Sequence, residues 1–185
     1  DVRRIRELRD PSVSHDWLWA LNPAHGAFLP PAEFLAAVRI RLGAHFLAEP
    51  VVCGQCGKRV LGRNCSHALC CAAAESTVGH HRINAVVHSL ARTADGSAET
   101  EPEGLIPSNP RLRPADTLTM AAVEGSQAAL DVGMGSPDAV GAGTDCCAAI
   151  HRRKMDTYRP YFPELAAQGI VYRPLAISSY GRLHP

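Results

Sequence analysis

The stretch RPADTLTMAAVEGSQAALDVGMG, Arg113 to Gly135, decides how this chain is read. β-Branched and apolar residues run on either side of Glu124-Gly125-Ser126, which predicts two strands, Ala115 to Val123 and Ala128 to Met134, joined by a turn. Each strand carries one aspartate among apolar neighbours: Asp116 at the start of the first and Asp131 within Leu130-Asp131-Val132 of the second. Aspartate is depleted in strands because its charge finds few partners there, so something must compensate for both.

Working outward, Glu99 to Ile106 reads as a preceding strand, set off by the turn Pro107-Ser108-Asn109-Pro110. Before it, Ser76 or Thr77 can cap a helix to about Ala94, with Val78, Ile83, Val86, Val87, Leu90 and Ala91 on a broad apolar face. Asp95-Gly96-Ser97 ends that helix. Beyond the hairpin, Gly133 to Thr144 reads as a loop, Asp145 to Tyr158 as a helix, Pro163 to Gln168 as a short helix stopped by Gly169, and Ile170 to Ile177 as a last strand. The order helix, strand, strand, strand, helix, strand predicts a small α/β domain over residues 76–185, a mixed sheet flanked by helices. Residues 1–50 read as a helical linker, in which Pro30-Pro31 opens an amphipathic run from Ala32 to Phe46 against which Trp17 and Trp19 pack.

The whole chain has 185 residues and a formal net charge of +1, which excludes a polyanion-coating protein, so any nucleic-acid binding must be local in origin. No run of 18 apolar residues is present, and no membrane span is expected. The sequence begins Asp1-Val2-Arg3, with neither an initiating Met nor an apolar leader, and this predicts an intracellular segment of a longer chain.

Five of the seven cysteines fall between Cys53 and Cys71, in residues 51–75. Cys53-Gly54-Gln55-Cys56 is a turn that brings two thiolates within reach of one Zn²⁺, and His67 with Cys71 completes a tetrahedral set. Cys70 or Cys65 can take the place of Cys71, and free thiols or a disulfide are the competing readings. Cys146-Cys147 reads as plain packing.

In a hairpin, Asp116 and Asp131 can converge on one Mg²⁺ or Mn²⁺ that keeps waters and room for a phosphate oxygen. Ile150, Lys154 and Tyr158 share one helix face, so Lys154 can reach the sheet. Glu99, Glu101 and Glu103 alternate, and Glu101 is a candidate third carboxylate, with a solvated acidic edge as the alternative. His80, His81, Arg82 and Asn84 near a helix start, and Arg152 and Arg153 beside Lys154, are candidate nucleic-acid contacts, with an ordinary surface face as the alternative.

Cys53-x2-Cys56, His67 to Cys71, Gly79 to Asn84, Arg113-Pro114-Ala115-Asp116, Leu130-Asp131-Val132 and Lys154-x3-Tyr158, in that order, resemble the C-terminal region of non-LTR retrotransposon polyproteins. There a zinc knuckle precedes a restriction-like endonuclease of the PD-(D/E)xK type, downstream of the reverse transcriptase. The resemblance implies a restriction-endonuclease-like core and a nuclear, Mg²⁺-dependent enzyme that nicks target DNA, with DNA and element RNA as partners. It also implies Asp116 and Asp131 as metal carboxylates, Lys154 as the catalytic lysine moved from strand to helix, Tyr158 as its companion, and Cys53, Cys56, His67 and Cys71 as knuckle ligands. Gly133 stands where the pattern carries lysine on the strand, so the chemistry rests on Lys154. The alternatives are a non-catalytic zinc-containing nucleic-acid-binding module and a zinc-stapled protein-interaction domain; an HNH-type nuclease built on His80 or His81 is a weaker competitor.

Overall fold

The Glu124-Gly125 turn, with Gly125 at φ +69°, closes a hairpin between β4 (Thr117–Val123) and β5 (Ser126–Gly135), the centre of the computed structural model. The structure describes residues 2–15, 29–71, 75–139 and 141–185. In chain order the other elements are α1 (Val2–Leu8), α2 (Pro31–Leu42), β1 (Val51–Val52), β2 (Val60–Leu61), a 3₁₀ turn (Ser66–Cys70), α3 (Glu75–Ala94), β3 (Glu99–Thr100), α4 (Cys146–Tyr158), a 3₁₀ turn (Arg159–Tyr161), α5 (Phe162–Ala167) and β6 (Ile170–Ser178). Trp17 and Trp19 lie outside the described residues. Among those residues no helix is long and apolar enough to cross a membrane.

The four-stranded sheet runs β3-β4-β5-β6, antiparallel except for the parallel β5–β6 pair, so it is mixed, with helices on both faces. The parallel pair is possible because α4 and α5 supply the crossover that a hairpin cannot. Strand alternation puts Ala129, Asp131, Gly133 and Gly135 of β5 on one face. α4 lies on that face, because a Cβ at Gly133 would meet Ile150 Cγ2 at 2.5 Å and Lys154 Cε at 2.6 Å. The main core lies there too, with Leu118, Ala129, Leu165, Ile170 and Tyr172 packed against Leu105 and Ile106. α3 covers the other face, where Gly79 approaches Met134 Sδ. Asp95, just past α3, accepts from Thr119 Oγ1 at 2.8 Å and from the Met120 N–H at 2.7 Å, tying the helix end to β4.

Several boundaries differ from the sequence reading. α3 begins at Glu75, so Ser76 and Thr77 lie inside the helix rather than ahead of it. Its inward stripe is also more polar than expected: Asn84 is buried while Val86 and Leu90 are exposed. β3 stops after Thr100, because Glu101 takes a left-handed φ of +45° and Pro102 follows, so Glu99, Glu101 and Glu103 do not alternate along one strand. β5 runs on to Gly135, past the predicted start of the loop. α2 ends at Leu42, where Gly43 adopts the left-handed conformation, and Leu35 and Leu42 of its apolar run are exposed.

α1 falls within the segment read as a helical linker, where the sequence reading places no helix of its own at Val2–Leu8. Its Glu7 is buried and accepts from Arg182 Nη2 and Nε, both at 2.9 Å, and Arg182 Nη2 also donates to Asp145 at 2.6 Å. The start of the chain is thereby fastened to its end and to the start of α4. Asp145 caps α4 through the Ala148 N–H at 3.0 Å. Cys146 and Cys147 are buried as expected of packing residues, and the Cys147 thiol lies 3.4 Å from the Arg182 carbonyl.

Candidate metal centre and carboxylate site

In the cysteine segment, β1 and β2 form a two-stranded antiparallel ribbon whose turn carries Cys53 and Cys56, and the 3₁₀ turn brings His67 and Cys71 back to it. One ligand atom from each of Cys53, Cys56, His67 and Cys71 lies within 4.8 Å of all the others. The Cys53 and Cys71 sulfurs are 3.9 Å apart, and Cys56 Sγ is 3.4 Å from His67 Nε2. A tetrahedron with metal–sulfur bonds of ~2.3 Å has edges of about 3.8 Å, so these residues fit Zn²⁺ and the cluster could bind it. The Lys58 backbone N–H foremost, and then His67, lower the Cys56 thiol to about 6, towards the thiolate that ligation needs. Cys70 stands outside the set: it is 4.0 Å from His67 Nδ1, faces the carbonyls of Ser66 and His67, and burial raises its thiol. Cys65 is also outside the four, in a left-handed backbone conformation.

The second constellation forms where β4 begins. Thr117 pairs with Leu130, so Asp116 lies beside the Leu130–Asp131 step. Asp131 is 7% exposed; its Oδ1 accepts from Lys154 Nζ, and its Oδ2 accepts from the Tyr172 hydroxyl at 2.5 Å. Burial pushes the Asp131 carboxyl up, Lys154 and Tyr172 pull it back, and Asp116 adds a further upward push. Burial, and next the Asp131 carboxylate, likewise raise the Tyr172 phenol. Asp116 Oδ2 accepts the Val132 N–H at 2.7 Å and lies 3.5 Å from His80 Nε2. Tyr158 packs its ring 5.0 Å from that of Tyr172 and donates to the Arg113 carbonyl at 3.0 Å. Asp131 and Lys154 are thus in direct contact, Asp116 is near enough to bear on the Asp131 charge, and Tyr158 packs on the Tyr172 ring beside them.

Glu101 does not aim its carboxylate there. It pairs with Arg113 at 3.1 Å, and only its backbone N–H, donating to the Asp116 carbonyl at 3.0 Å, touches the site. Asn84 is buried, with its amide 3.4 Å from His80 Nδ1, whereas His81, Arg82, Arg152 and Arg153 are exposed. Tyr172, Gly133 and Gly135 were missed by the sequence reading. The two glycines, spaced by two on one strand, were the available sign of a close helix approach, since a Cβ at either would collide with Ile150.

Compared with known proteins, the chain matches no family model, no curated protein and no solved structure.

Proposed function

We propose that this chain is a divalent-metal-dependent DNA endonuclease, related to the PD-(D/E)xK enzymes of non-LTR retrotransposons, acting in the nucleus as part of a longer polyprotein. The observation that carries this reading is the direct Asp131–Lys154 contact between β5 and α4, with Asp116 beside it at the start of β4 and bearing on the Asp131 charge.

The donor set fits a hard dication. Two neighbouring carboxylates face a single ammonium, Asp116 disfavours the ionisation of Asp131, and among the described residues Asp116 Oδ1 has no hydrogen-bond partner. Bound there by Asp116 and Asp131, Mg²⁺ would supply Lewis-acid activation of water and offset the charge of a phosphodiester. Without it the carboxylates outnumber the ammonium and repel a phosphate. Lys154 provides a cation on the reacting side, Tyr172 orients Asp131, and Tyr158 walls the site beside the Arg113 backbone. The exposed Arg82, Arg152 and Arg153 supply backbone contacts to DNA or RNA, and the zinc cluster stiffens a segment with little core of its own.

One observation favours a second reading. Both Asp131 oxygens are already satisfied by Lys154 and Tyr172, as in a structural ion pair, which suits a non-catalytic nucleic-acid-binding module. Nicking of supercoiled plasmid by the full chain with Mg²⁺ or Mn²⁺ separates the two. The endonuclease predicts relaxed circles that disappear in Asp116→Asn, Asp131→Asn and Lys154→Met. Intact plasmid with wild type, or equal nicking by Asp131→Asn, overturns it, and salt-sensitive binding that survives Asp131→Asn then supports the binding module.

A further inference from the structure

The regular β4–β5 ladder ends at the Thr117–Leu130 pair, and no β4 residue pairs with Val132. The chain before Asp116 turns away through Pro114, so the Val132 N–H and C=O facing that side would be left without partners. Two side chains take them instead. Asp116 Oδ2 accepts the N–H at 2.7 Å, and His80 Nε2 lies 3.0 Å from the carbonyl.

A carbonyl only accepts, so the His80 ring carries its proton on Nε2, and in the neutral ring Nδ1 must then be an acceptor. Asn84, one turn along α3, presents its amide nitrogen there at 3.4 Å. Asn84 is 6% exposed and its Oδ1 is buried without a partner among the described residues. Such an orphan acceptor is unfavourable, and leucine would avoid it, so packing alone does not account for an amide at this position.

We propose that His80, with its tautomer set by Asn84, is a positioning residue for Asp116. By holding the Val132 carbonyl, it steadies the residue whose own N–H, in the preceding peptide, orients the Asp116 carboxylate, and its Nε2 lies 3.5 Å from Asp116 Oδ2 itself. One carboxylate oxygen is thereby anchored and Oδ1 is left for the cation. This rests on the endonuclease reading for its function but not for its geometry.

The test uses the full chain and two readouts. The first is amide hydrogen exchange of Val132 relative to Ala129, which needs no activity. The second is plasmid nicking, resolved into kcat and KM. Loss of one hydrogen bond is expected to speed Val132 exchange about five- to tenfold in His80→Leu, lowering kcat with KM for DNA unchanged. His80→Gln, whose amide can still donate to the carbonyl, should restore both. Asn84→Leu should melt no lower than wild type and yet show faster Val132 exchange and slower nicking, opposite in sign to a merely structural role. The proposal is overturned if Val132 exchange is unchanged in both leucine variants, or if His80→Leu raises KM alone, which would make His80 a DNA contact. If wild type does not nick but the exchange pattern holds, the endonuclease reading fails and the positioning of Asp116 stands.

Discussion

Gly133 offers a direct test of how the site is assembled. A Cβ built there falls 2.5 Å from Ile150 Cγ2 and 2.6 Å from Lys154 Cε, roughly 1 Å inside the optimal separation of carbon atoms. The lysine stem can swing aside, but Cγ2 is fixed to the β-branch of Ile150 and moves only with α4. Gly133→Ala must therefore lift the helix or force Ile150 off its rotamer, costing about 1–3 kcal/mol. The same displacement draws Lys154 away from Asp131, and under the proposed cleavage a shift of ~1 Å at that group lowers the rate as much as 100-fold. Urea denaturation and plasmid nicking measure the two effects. Suppressors identify the cause: Ile150→Leu removes the β-branch and should restore part of the loss in Gly133→Ala. Ile150→Val keeps Cγ2 but removes Cδ1, the atom that a Gly135 Cβ would overlap, so it should relieve Gly135→Ala and not Gly133→Ala. Gly133→Ala with wild-type stability and nicking, or strictly additive double variants, would refute the close-packing account.

Arg182→Ala strands the buried Glu7 carboxylate and should destabilise the protein by about 3–5 kcal/mol in urea, whereas the paired change Glu7→Leu with Arg182→Met should cost far less. Arg182, foremost, holds the Asp145 carboxyl at about 2. A depressed carboxyl contributes stability that is complete above its unfolded value of about 3.9 and is lost as pH falls through the folded value, so Asp145→Asn should flatten the melting temperature against pH between about 4 and 2. Chelation of Zn²⁺, or Cys56→Ser, should abolish amide protection in residues 51–71 while the β4–β5–β6 sheet keeps its circular dichroism; loss of the sheet would show that the cysteine segment is not a separately stapled unit.

Features whose physical basis is local could be read from the residues alone. Strand and helix periods are written in consecutive residues, so β4, β5, α4, α5 and β6 were legible to within about two residues, as was the turn at Gly125. The Cys53-x2-Cys56 turn and the spacing of His67 and Cys71 likewise describe one short loop closing on itself. β3 was overcalled because the backbone at Glu101 turns left-handed, which acidic alternation does not announce. The remaining contacts depend on how distant segments pack. Tyr172 meets Asp131 because β6 pairs parallel beside β5, Glu7 finds Arg182 across nearly the whole chain, and His80 reaches Val132 from the opposite face of the sheet. Each of these contacts joins residues at least 41 positions apart, and no local periodicity encodes them. They follow from which faces are buried and how closely a helix can approach a strand that carries no side chain at Gly133.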